Sequence, residues 1–94
     1  MTTQAKQQIH DVLHSYCSEF LQIQEITHAA NEIIKNPTED TIAEMTTYLN
    51  SFDTVRHGCG AGQSYLMPTG LNQSLTANNI RYAMSEIRKI IATE

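Results

Sequence analysis

Between the amino terminus and Asn36 the chain contains neither glycine nor proline, and Pro37 follows at once. No other feature restricts the fold so strongly. Within this stretch Ile9, Leu13, Tyr16, Phe20, Ile23, Thr27, Ala30 and Ile34 recur at the three-to-four spacing of one helical face. Val12, Ile26 and Ile33 widen that face on one side. The spacing predicts one continuous helix over residues 3–35, a rod roughly 45 Å long. A residue that precedes proline avoids the helical region, so Asn36 ends the rod.

The same residues read as a start signal. Asn36 suits an N-cap, Pro37 the first helical position and Glu39 the third position of a capping box. The second helix, predicted over 37–57, carries the stripe Ile42, Met45, Leu49, Phe52 and Val55. It runs out near His57, with Gly58 as the residue past its end. So short a connection between two helices predicts an antiparallel hairpin.

Residues 58–70 hold all four glycines and Pro68, and form the predicted glycine-rich loop. A third helix is predicted over 71–92. Its back half turns Ile80, Ala83, Met84, Ile87 and Ile91 to one side; Leu71, Leu75 and Tyr82 lie about opposite. Two apolar faces on one helix require two partners. Either the helix kinks into two short ones, or one face docks on a second copy of the chain. The fold class is therefore all-α, a single domain over 1–94: a long antiparallel hairpin followed by a C-terminal helix.

Size and charge limit what such a domain can do. Ninety-four residues build one modest core. The net charge of −4 is unevenly spread. Residues 1–50 set Lys6 and Lys35 against seven carboxylates, while residues 51–94 carry one more cation than anion. No acidic residue occurs between Asp53 and Glu86. Six scattered cations are too few for a long duplex, so no duplex nucleic-acid partner is expected. The polar amino-terminal octet and the lack of a long apolar run predict neither signal peptide nor membrane span, and a cytoplasmic location. Cys17 and Cys59 are expected to be free thiols there.

Four constellations could carry chemistry. In the first, Arg56, His57, Gly58, Gly60 and Gly62, with Thr69, Arg81 and Arg88, form a candidate anion site. Alternating glycines can turn backbone N–H groups toward one point, and guanidinium groups add charge-assisted bonds. The second is a weak metal candidate, His10, His14 and Cys17, with His28 on the same flank. The third is a thiol nucleophile at Cys59 beside His57. The fourth is an oligomer interface at Leu71, Leu75 and Tyr82, because a 45 Å rod outreaches the roughly 30 Å second helix meant to cover it. The expected role is a small non-enzymatic regulator or inhibitor that binds a protein target and self-associates as a dimer or higher oligomer. The alternative is sequestration of a small anionic ligand, such as a nucleotide, by the Gly58–Gly70 loop with Arg56 and Arg81. A thiol enzyme comes third. No cofactor is expected.

Overall fold

A computed structural model of the chain describes residues 1–53 and 74–94. These form four helices: α1 (Thr3–Cys17), α2 (Ile23–Lys35), α3 (Glu39–Asp53) and α4 (Ser74–Ala92). Among the described residues there is no strand, and no helix is long and apolar enough to cross a membrane. The all-α class holds.

The long rod does not. Residues 3–35 make two helices, separated by Ser18–Gln22. Ser18 keeps right-handed helical angles and donates its N–H to the His14 carbonyl. The chain then tightens, with the N–H groups of Phe20 and Leu21 both donating to the Cys17 carbonyl at 3.0 and 2.9 Å. Leu21 drops back into the core. Gln22 is extended and starts α2; its N–H is held by Glu25 Oε1 at 3.0 Å. That bond is one half of a capping box, closed by a glutamate that is only 7% exposed. The reversal is built from local hydrogen bonds rather than from a glycine.

This break resets the helical register. In α1 the buried positions are Ala5, Ile9, Leu13 and Cys17; in α2 they are Ile26, Ala29, Ala30 and Ile33. Ile23, which the uninterrupted stripe placed on the core face, is 68% exposed. Ile26 and Ile33, which only widened the predicted stripe, are fully buried together with Ala29 and Ala30.

The Asn36–Pro37 boundary falls where expected, but its parts play other roles. Asn36 closes α2 with its N–H on the Glu32 carbonyl. Thr38, not Asn36, begins α3: its hydroxyl accepts from the Thr41 N–H at 3.3 Å. Pro37 lies between the helices, and Glu39 is the first residue of α3. The predicted end of this helix at His57 and the 58–70 loop lie outside the described residues. So does the predicted start of the last helix at Leu71.

Each helix packs on the next, and α4 returns to α1. Neighbours run antiparallel. His10 faces Asn31 while His14 faces Thr27 across α1 and α2. Thr2 meets Glu94, and Tyr16 meets Tyr82, across α1 and α4. The two shorter dimensions are 22 and 20 Å, two helix diameters each way. A closed square of four helices of 13 to 19 residues results. Among the described residues there is no long uncovered rod, so no mismatch of helix lengths calls for a second copy of the chain.

Inside the square, every helix contributes aliphatic side chains: Ile9 and Leu13, Ile26 and Ile33, Ile42 and Leu49, Ile80 and Ile87 are all fully buried. Tyr16, Phe20, Tyr48 and Phe52 only edge this core. Among the described residues, no buried side-chain nitrogen or oxygen lacks a hydrogen-bond partner.

Candidate functional site

The sequence placed its chief candidate in the glycine-rich segment. Arg56, His57, Gly58, Cys59, Gly60, Gly62, Thr69 and Leu71, with the side chain of Leu75, lie outside the described residues. Of the residues singled out by the sequence, Arg81, Tyr82 and Arg88 on α4 and His10, His14 and Cys17 on α1 are described.

On α4, Arg81 and Arg88 are nearly two turns apart and share a side of the helix. Arg88 reaches α3, where its Nε donates to both oxygens of Glu39 at 3.0 and 2.9 Å. The pair is exposed on both sides, the arginine side chain 44% and the glutamate 69%. Beside this pair lies an open groove of about 250 Å³, floored by Ile42 and Ile91 and edged by Pro37. Arg81 instead donates to Asn78 Oδ1, and its guanidinium stands 5.7 Å from the centre of the Tyr82 ring.

Tyr82 is 51% exposed. Its other ring neighbour is Tyr16, 6.3 Å away on α1. The helical angle opposes Tyr82 to the core face of α4, and its exposure agrees. The stripe of the first thirty-five residues puts Tyr16 in the core, whereas the ring only edges it. The roughly 100° step between Tyr16 and the buried Cys17 carries that ring to the α1–α4 seam, where it meets Tyr82.

The histidines divide between two seams. His10 and His14 sit on α1 facing α2, their rings 15° from parallel with centroids 6.3 Å apart. His10 Nε2 lies 3.1 Å from Asn31 Oδ1, and His14 Nε2 lies 3.5 Å from Thr27 Oγ1. His28 turns to α3 instead, its ring 5.0 Å from Tyr48, which in turn meets Phe52 edge-on at 4.9 Å. Cys17 is fully buried among the core residues. The predicted trio of His10, His14 and Cys17 therefore does not assemble: the thiol faces inward and the imidazoles face the seam. Among the described residues no three His, Cys, Asp or Glu side chains form a metal-holding group. Burial also pushes the Cys17 thiol up from 9.0 to about 11, because a thiolate there would lose its water.

Sequence reasoning missed Thr27 and Asn31. Their signal was present. They are spaced four apart, as are His10 and His14, and an antiparallel fold at Ser18–Gln22 pairs the two couples. Without the turn, that pairing was invisible.

No family model, no curated protein and no solved structure matches this chain. The reading of its function therefore rests on the residues themselves.

Proposed function

We propose that the protein is a small non-enzymatic binding protein that acts stoichiometrically, through the α1–α4 face centred on Tyr82. One observation carries this reading. An exposed tyrosine has two neighbours at its ring, Tyr16 at 6.3 Å and the Arg81 guanidinium at 5.7 Å. Tyrosine and arginine are the side chains on which protein interfaces concentrate their binding energy. Both present apolar area together with a polar tip, and such neighbours lower the entropy lost when a partner immobilises them. The partner of this reading is a protein surface, a second copy of the chain included, and the role is regulatory or inhibitory.

Tyr82→Ala and Arg81→Ala test it. Light scattering of the pure protein and its two variants reads self-association. Co-purification from its native cells, with the variants as controls, reads a different partner. Loss of an assembly on either substitution supports the reading. A protein that stays monomeric and retains the same partners in all three forms contradicts it.

A second reading keeps a small anionic ligand near Arg81, with Arg56 and the Gly58–Gly70 segment. The stretch without carboxylates from Thr54 to Ser85 favours it, since an anion meets no like charge in that sequence. A rise in melting temperature with phosphate or a nucleotide, lost in Arg81→Ala, supports it; an unmoved transition opposes it.

A further inference from the structure

We propose that His10, His14 and Asn31 bind one divalent transition-metal ion of the imidazole-preferring kind, in the seam between α1 and α2. Residues four apart share a face one turn above each other, so two histidines at this spacing can present ring nitrogens to one ion. The rings of His10 and His14 are already nearly parallel, with centroids 6.3 Å apart. With bonds of about 2.1 Å, two imidazoles on a common ion place their centroids about 5 Å apart. The difference is a small inward tilt. Both side chains are only half buried and can make it.

The second helix supplies the independent observation. Both Nε2 atoms point across the seam and meet an oxygen there: Asn31 Oδ1 at 3.1 Å, Thr27 Oγ1 at 3.5 Å. Two adjacent ligands on an ion with bonds of about 2.1 Å stand about 3.0–3.4 Å apart. The His10–Asn31 spacing falls in that range, so an ion can replace the proton they now share without separating the helices. Thr27 sits at the edge of it, and water can complete the shell. Two nitrogens and an amide oxygen suit Zn²⁺, Ni²⁺ or Cu²⁺, whereas Mg²⁺ and Ca²⁺ demand a shell of oxygens.

The surrounding charge is permissive. Of the charged side chains nearby, Asp11 adjoins His10 and accepts from Gln7. Lys6 lies one turn before His10, and Lys35 one turn after Asn31, where it pairs with Glu32 at 3.8 Å. Taken whole, the first fifty residues are strongly acidic, a field that draws cations. A bound ion would tie α1 to α2 across the turn at Ser18–Gln22. This site lies on a different seam from Tyr82 and stands or falls separately.

The test is a calorimetric titration of the full chain with zinc chloride at neutral pH, read together with the histidine ring resonances by NMR. One equivalent of Zn²⁺ is expected to shift the ring signals of His10 and His14 and leave those of His28 in place. His10→Gln and His14→Gln should each weaken this binding at least about tenfold, and Asn31→Leu by a smaller factor, while His28→Gln leaves it unchanged. Far-ultraviolet circular dichroism checks that each variant keeps its helices. Ring signals of His10 and His14 that ignore Zn²⁺ in the wild-type protein would overturn the proposal, even should a variant fail to fold. So would undiminished affinity in a folded His10→Gln protein.

Discussion

Arg88 on α4 and Glu39 at the start of α3 are 49 residues apart in the chain, yet one guanidinium nitrogen of Arg88 bonds both oxygens of the glutamate. The pair ties the last helix to the third at the end of the bundle where α2 hands over to α3. It also places an acidic side chain in the first turn of α3, next to the positive end of the helix dipole.

Both partners are well exposed, the arginine side chain 44% and the glutamate 69%, so solvent screens them. Arg88→Ala should cost only about 0.2–1 kcal/mol of stability. Urea denaturation of the wild type, the two single variants and the double variant gives the coupling directly. A coupling well above that range would mean the pair organises this end of the bundle.

Glu25 is the more consequential carboxylate. It is nearly buried and holds the Gln22 N–H at the point where the chain re-enters a helix. Glu25→Ala should destabilise by about 0.5–2 kcal/mol through loss of the cap, while Glu25→Gln, which keeps an acceptor, should cost less. Equal denaturation midpoints for the two variants would contradict this role.

Ile23 and Ile33 separate the two readings of the first third of the chain. Ile33→Ala removes a fully buried side chain and should cost about 2–5 kcal/mol. Ile23→Ala removes an exposed one and should stay within about 0.5 kcal/mol. A continuous helix with the predicted stripe would make Ile23→Ala costly as well.

Cys17 gives a pH dependence of known sign. Its thiol is raised from 9.0 to about 11 in the folded protein, so the folded state holds the proton more tightly than the unfolded one. The contribution to stability is complete below pH 9.0 and disappears as pH rises to about 11. Between neutral pH and pH 11 the urea midpoint of the wild type should therefore fall further than that of Cys17→Val. In the native protein at neutral pH, Cys17 should resist alkylation until the bundle opens. A fast reaction there would place the thiol at the surface.

The particular residues show what could be read in advance. Ile9 with Leu13, Ile42 with Leu49, and Ile80 with Ile87 were legible as core because helical periodicity within one element needs no tertiary knowledge. Asn36–Pro37 was legible as a boundary because proline constrains its predecessor sterically. The turn at Ser18–Gln22 was not, since no residue in it carries a steric prohibition against helix. Its only marks were the Gln22–Glu25 pair and a shift in the apolar register, and the aliphatic richness of residues 20–34 hid the shift. The Tyr82 cluster was half legible. Its outward face followed from the helix angle, but the contact with Tyr16 depends on which helix lies alongside. The His10–Asn31 contact depended wholly on the missed reversal.

The ring of helices also dictates an order of assembly. Two of its seams join helices that are separated by only a few residues, and a hairpin of that kind closes within the first moments of collapse. The seam between α1 and α4 instead unites Thr2 with Glu94, across almost the entire polypeptide. Bringing such distant partners together carries the largest loop-closure entropy in the molecule. The last helix should therefore dock late and detach early, making the α4 boundary the place where native-state hydrogen exchange first reveals partial opening.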